Sequence, residues 1–347
     1  MQRDVAHLLG IYFSRLQRVS CARRSHTLRL SARNDVGMSI LQTTLKSPIT
    51  FEGRGLHTDQ PATLSIHPAS AEHGIWFQRT DAKARDQLIP ARWDAVEHSA
   101  LCTRLVNEAG VELLTVEHVM AALAGCGVHN ALVKVHGPEV PILDGSAIPF
   151  VRGIMQRGLR QLSAPVRAYQ VCQHIAVEDG LARASLSPSD EMRIDFEIDF
   201  SDAAIGRQSL SLSMANGSFA RELSDSRTFC RQSDVQAMQA NGLALGGKSG
   251  ENAVVFDGDA VLSPGGLRRH DEPVRHKMLD ALGDLALAGA PVIGRYCGAR
   301  AGHMLTNMLL RKAFATPGAM RMIICSDDRT TRLPGHGLIW DEIPRVA

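Results

Sequence analysis

The sequence predicts an α+β protein of two halves of about equal size, mostly sheet with a few packed helices. Three observations predict it. From Thr44 onward, short alternating apolar runs bounded by Gly, Pro and Asp recur, the pattern of half-buried strands. Two other segments carry apolar residues at three- and four-residue spacing, the period of a helix. Those two helix starts echo each other. Val116-Glu117-His118-Val119-Met120 and Val274-Arg275-His276-Lys277-Met278 share V-x-H-x-M, one in each half.

Taken in order, the chain opens on an Arg-rich stretch over residues 1–37. There Arg3, Arg15, Arg18, Arg23, Arg24, Arg29 and Arg33 face only Asp4 and Asp35. That composition fits a transit-like leader. The reading favoured here is an extension upstream of a functional start at Met38, and the stretch is left out of the fold. Alternating runs at 62–67 (ATLSIH), 74–79 (GIWFQR) and 131–136 (ALVKVH) predict strands. Val116, Val119, Met120 and Leu123 predict a helix over 116–124. The segment 157–165 (RGLRQLSAP) mixes Gly, Ser and Pro and reads as the boundary between a first domain, 38–163, and a second, 164–340. Beyond it, 169–177 and 192–200 alternate like strands. The stretch 226–256 reads as a strand–helix–strand excursion, an insert at about 228–258 with Met238, Leu243 and Leu245 on its inner side. A second helix follows over 273–288. The shared V-x-H-x-M suggests two copies of one fold, their histidines facing a common cleft. Chance similarity of two helix starts explains it equally well.

Composition removes other classes of function. With 38 Lys+Arg against 36 Asp+Glu the net charge is +2, no footprint for nucleic acid. Seven cysteines without any C-x-x-C point to a reducing compartment rather than a disulfide framework or zinc ribbon. No apolar run approaches the ~20 residues of a membrane span.

The second helix carries the chemistry. Asp271, Glu272 and Pro273 form a helix-start signature. Leu279, Leu282 and Leu285 make an apolar stripe, and on another face His276, Asp280 and Asp284 recur every four residues. A His and an Asp one turn apart can grip one metal ion. The pattern alone is weak, because 14 histidines give roughly one H-x-x-x-[DE] by chance. The chain has a second, His174/Glu178, but in a strand such residues sit ~13 Å apart and cannot chelate. A solvated polar face explains the row at 276–284 nearly as well. A catalytic zinc takes three protein ligands, and His118 is the best third. Glu117, ~100° round the helix from it, points away from the same ion and can act on a bound water as general base. On residue type alone an ordinary first-turn acid is the stronger reading. Gly302-His303 is the fourth element. A Gly before a His permits a close backbone approach, and a near-neutral His can protonate a leaving group. A plain helix-start histidine is the stronger reading there too.

Longer stretches carry a more specific signal. TVEHVMAALAGCGVHNALV (115–133), EVPILDGSAIPFV (139–151), SRTF (226–229), EPVRHKMLDALGDLALAG (272–289), GH-x-L-x-N (302–307), GLHT (55–58) and the PA…G…F-x-RTD pattern over 68–81 occur in one order. Together they resemble the UDP-3-O-acyl-N-acetylglucosamine deacetylase family over about residues 42–315. The resemblance implies two βααβ-type domains, a duplicated two-layer sandwich with the active site between them. It implies a zinc enzyme, with Fe2+ an alternative for the same donors, whose metal ligands fall on His118, His276 and Asp280. It assigns Glu117 as general base, His303 as general acid and oxyanion-stabilising residue, and Asp284 as the acid that orients His303. Lys277 falls near the substrate, and the Thr228 hydroxyl beside the reacting carbonyl. The insert becomes an acyl-chain passage, with Phe229, His57, Met238 and Leu243 as substrate-binding residues.

The implied reaction removes the N-acetyl group of UDP-3-O-(3-hydroxyacyl)-N-acetylglucosamine, the committed step of lipid A biosynthesis in Gram-negative bacteria. The implied enzyme is a cytoplasmic monomer with an acylated UDP-sugar as partner, no nucleic acid and no stable membrane insertion. Two departures stand out. The leader has no counterpart in the usual short form, which leaves organellar targeting open. Arg104, in LCTRLV, stands where some members carry a second Cys near the cleft, a change that bears on local charge or metal inhibition. A zinc amidohydrolase of another N-acylated sugar, or a silent binding protein of the same fold, are the alternatives.

Overall fold

Among the described residues, two-residue alternation becomes two large sheets and three small ones, and 3.6-residue periodicity becomes the helices packed between and against them. In the computed structural model, residues 41–345 are described, so the Arg-rich leader and the start at Met38 lie outside the described residues. The first sheet has five strands in the order Ile49–Arg54, Pro61–Pro68, Ala131–His136, Ile75–Arg79, Leu88–Pro90. The second has seven. Its path runs Ile175–Asp179, Ala182–Ser187, Val292–Ala299, Arg167–Val171, Met320–Ile324, and Met192–Asp199 with Arg207–Ser213 branch from Val292–Ala299.

Five helices matter for the site: α1 (Glu117–Gly125), α2 (Ile148–Arg157), α3 (Gln232–Ala240), α4 (Glu272–Ala286) and α5 (His303–Ala315). α1 leads through residues 126–130 into Ala131–His136, the middle strand of the first sheet. α4 leads through 287–291, a connection of the same length, into Val292–Ala299, the middle of the second. A second helix follows each central strand, α2 in one half and α5 in the other. The two V-x-H-x-M helices therefore occupy equivalent places, which favours duplication over chance.

One apolar core joins the halves, from Leu64, Phe77 and Val133 through Met120 and Leu282 into Ile194 and Tyr296. Each such side chain contributes about 1.5–3 kcal/mol on full burial. The two helices approach backbone to backbone. A Cβ on Gly283 of α4 would lie 2.0 Å from the Glu117 carbonyl oxygen of α1, so only glycine permits this crossing.

Two readings change in the structure. The segment 157–165, the expected domain boundary, carries a strand, Leu159–Pro165, antiparallel to Leu41–Leu45. Its Gly and Pro are confined to the ends, where Gly158 (φ 73°) closes α2 and Pro165 meets Leu41. The run 169–177 is two strands, Arg167–Val171 and Ile175–Asp179, broken at residues 172–174. The acids opening α4 stand at its start as expected, and each is also ion-paired, Asp271 with Arg275 (2.6 Å) and buried Glu272 with Arg227 (2.9 Å).

Candidate metal centre

α1 and α4 are buried on every side that matters, and that turns a polar row into a site. His118, His276 and Asp280 are 4%, 3% and 4% exposed. One ligand atom from each lies within 4.8 Å of the others. Asp280 Oδ1 is 3.3 Å from His276 Nε2 and 3.5 Å from His118 Nε2. The two imidazoles stand edge to face, centroids 5.0 Å apart and planes at 89°. His276 Nδ1 lies 3.0 Å from the Ser226 carbonyl, an acceptor only, so Nδ1 carries the proton and Nε2 is left as a lone-pair donor. The solvated-face reading of the row therefore fails.

Those residues fit a divalent cation. Asp280 Oδ1 is buried with no hydrogen-bond partner, an arrangement that costs free energy unless something positive meets it. Two imidazoles and one carboxylate form a three-ligand catalytic donor set. Burial pushes His276 down to about 4, so it stays neutral, the form that binds metal. Burial opposes charge on Asp280 too, but the Lys277 ammonium 2.8 Å away holds its carboxyl well below the usual range.

Glu117 and His303 flank the three donors. Glu117 Oε2 accepts from the Thr103 amide at 3.1 Å, and Oε1 faces His303 Nε2 at 3.7 Å. Burial raises the Glu117 carboxyl, against the pull of His303 and His118, which favours proton uptake. His303 Nδ1 pairs with Asp284 Oδ2 at 2.9 Å. Burial disfavours its cation, yet Asp284 and then Glu117 overcome that and hold it up to about 9. A buried base and a partly buried acid thus sit side by side with their proton affinities moved toward their tasks.

A cleft of about 480 Å³ opens over this centre. It is lined by His57, Thr228, Phe229, Met238 and Lys277 together with Glu117, His118, His276, Asp280 and His303. Lys277 Nζ lies 2.8 Å from Asp280 Oδ2, and the Phe229 ring stands edge-on to His276 with centroids 6.3 Å apart. Phe200 and Arg231 add to the wall without any signal in the sequence patterns. The insert is built as expected. Phe229–Arg231 and Val254–Asp257 are parallel strands with α3 between them.

Other expectations fail locally. Leu243 is 36% exposed and does not line the cleft, because Gly242 (φ 73°) turns the chain back so that the Leu243 amide bonds the Met238 carbonyl. Leu245 is likewise exposed. Arg104 pairs with Glu97 and Glu112, both at 2.9 Å, and does not line the cleft. Gly302 is extended (φ −127°), and no protein atom beyond its chain neighbours lies within 4 Å of where a Cβ would stand. His174 lies before its strand on Ser187 Oγ (2.8 Å), far from any chelate with Glu178.

Thr103 is the main residue the patterns missed. Its amide holds Glu117, and its hydroxyl donates to Asp284 Oδ1 at 2.5 Å. One threonine thus fixes both the base and the partner of the acid. Its contact with Asp284 spans 181 residues of sequence, so nothing local marks it.

Comparison with known proteins is consistent with this arrangement. Residues 42–315 match the family described as UDP-3-O-acyl N-acetylglycosamine deacetylase. The UDP-3-O-acyl-N-acetylglucosamine deacetylase of Phenylobacterium zucineum (strain HLK1) is 47% identical over 289 residues, 83% of this chain and 98% of that protein. The proteins of the same name from Anaeromyxobacter sp. (strain Fw109-5) and Shewanella woodyi (strain ATCC 51908 / MS32) are 44% and 43% identical. Each alignment covers 83% of this chain, with 93% and 95% of those proteins.

Proposed function

The chain belongs to the UDP-3-O-acyl N-acetylglycosamine deacetylase family, and on that premise we propose that Glu117 and His303 hydrolyse an N-acetyl group beside a zinc ion held by His118, His276 and Asp280. The activity is that of its relatives, an amide hydrolase of lipid A biosynthesis that releases acetate from an acylated UDP-N-acetylglucosamine. His118, His276 and Asp280 would hold a divalent cation, which would supply Lewis-acid chemistry for the amide hydrolysis. Zn2+ is the proposed ion, and Fe2+ satisfies the same donors.

The rest is done by the protein's own groups. Glu117 takes the proton of the attacking water on Oε1, the oxygen that the Thr103 amide leaves free. The Thr228 hydroxyl and cationic His303 donate to the oxygen that becomes negative as the carbonyl turns tetrahedral. His303, kept charged by Asp284 at 2.9 Å, then gives its Nε2 proton to the departing sugar amine. Lys277 adds a positive charge at the same edge of the cleft, 2.8 Å from Asp280. His57, Phe229 and Met238 receive the substrate, its acyl chain running along the insert. Leu243 is not part of that surface. Among the described residues no helix is long and apolar enough to cross a membrane.

The observation that carries this reading is the convergence of three buried metal donors with a carboxylate–imidazole pair, Glu117 and His303, at 3.7 Å. The test is acetate release from the acylated UDP-sugar, with metal analysis of the same preparation. One cation per chain and turnover abolished by chelator are expected. Hydrolysis undiminished in metal-free protein overturns the reading. Equal turnover of the sugar lacking its acyl chain overturns the role of the insert.

A further inference from the structure

Glu139 lies outside the cleft and is fully buried, yet its carboxylate gathers donors from both sides of it. The His57 amide donates to Oε1 and Oε2 at 3.0 and 3.1 Å. The Thr58 amide and hydroxyl both donate to Oε2 at 2.9 Å. The Thr115 hydroxyl donates to Oε1 at 2.7 Å. All of these donors are neutral, and together they span the lone pairs that an ionised carboxylate offers.

What those donors belong to gives the contact its meaning. His57 and Thr58 form the turn that carries the His57 ring into the cleft. Thr115 stands two residues before Glu117 in a left-handed backbone conformation (φ 59°), unfavourable for a β-branched residue and kept only where neighbours over-determine it. Gly55 belongs to the same knot, since a Cβ there would lie 2.2 Å from Glu139 Oε2. The His57 ring is buried with neither nitrogen hydrogen-bonded, so no hydrogen bond on the ring fixes its orientation. Its backbone amide is held by Glu139, and its carbonyl accepts from the Leu245 amide at 3.3 Å.

We propose that Glu139 is a positioning residue: by clamping the 57–58 turn to Thr115, it presents the unpartnered His57 imidazole to the substrate in register with Glu117 and His118. The Glu139 side chain touches neither substrate nor metal and acts through His57. This rests on the deacetylase reading above and deepens it, since it makes His57 a fixed polar contact for the nucleotide sugar rather than a mobile wall residue.

The test is a double-mutant cycle on the metal-loaded enzyme. Glu139→Gln puts an amide nitrogen where donors already point, and a loss of about 10- to 100-fold in kcat/KM, with raised KM, is expected. His57→Ala is expected to cost a similar factor. If Glu139 acts through His57, adding Glu139→Gln to His57→Ala costs less than about threefold more. Hydrogen exchange of the His57 and Thr58 amides speeds up in Glu139→Gln while the metal content stays at one per chain. Where Glu139→Gln does not fold, the cycle is read on Thr58→Val and Thr115→Val, each removing one hydroxyl donor, with Thr115→Ser restoring the rate. Losses that multiply across the cycle, or Glu139→Gln at the wild-type rate, overturn the proposal. Wild-type enzyme that releases no acetate overturns the deacetylase reading itself, a separate and recognisable failure.

Discussion

The α1–α4 pair and the insert at 226–257 border the same cleft but are built on opposite plans. Along the helix pair the polar groups are buried, and most are tied: Glu117 to Thr103, His276 to the Ser226 carbonyl, Asp284 to both Thr103 and His303. The helices themselves touch through Gly283, with no room for a side chain. α3 of the insert has no buried residue, and the turn after it leaves Leu243 and Leu245 in solvent. The difference teaches a division of labour. Charge chemistry needs low dielectric and fixed geometry, since an electrostatic contact weakens steeply with water and with play. Contact with an apolar chain needs only area, and area tolerates movement.

Experiments can break that contrast, the most damaging first. Glu117→Gln is expected to lower kcat by a hundredfold or more with metal retained, read by steady-state kinetics beside metal analysis. Gly283→Ala, a single methyl, is expected to rival it. Because its Cβ would meet the Glu117 carbonyl at 2.0 Å, the helices must separate, lowering both the melting temperature and the metal content. Gly283→Ala with full occupancy would show the crossing to be looser than described.

The pH profile sharpens the electrostatic half. Glu117, with its proton affinity raised, is a base only above its elevated pKa, and His303 is an acid only below about 9. Activity is therefore bell-shaped, with its alkaline limb at or below about pH 9, because a bound cation lowers both values. Asp284→Asn removes the carboxylate that does most to raise His303, so the alkaline limb moves to lower pH and the rate at pH 8 falls about tenfold. A limb that stays in place would detach Asp284 from the acid. In the insert, Met238→Trp is expected to raise KM severalfold for a long acyl chain while kcat on a short one is unchanged. Leu243→Ser is expected to stay within about twofold on every parameter, as surface substitutions do.

How much of this was legible in the sequence follows the same division. His276 and Asp280 lie one helical turn apart, so local geometry alone brought them together. The central strand of the first half and both helices of the repeat were legible through period, to within a residue or two, whereas the second central strand, Val292–Ala299, was not. Burial of the 276–284 row was not, because a polar stripe on a helix looks the same facing water or facing α1. Thr103 and Glu139 were hidden for a second reason: their contacts cross 181 and 82 residues, distances over which no spacing rule operates. The strand at 159–165 was misread because its Gly and Pro mark its ends, and composition averaged over a window cannot tell a boundary from a break.

The carbonyl of Ser226 sets the tautomer of His276, and Ser226 is also where the chain enters the insert. That shared residue divides the insert unequally. Its root is tied to His276 and has little freedom to drift, whereas α3 buries no side chain. Beyond α3 the insert is tied again, the Leu245 and Gly246 amides donating to the His57 and Leu56 carbonyls at 3.3 and 3.0 Å. On the reading proposed above, acyl preference can therefore be retuned on α3 alone, with both anchored ends of the insert left as they stand.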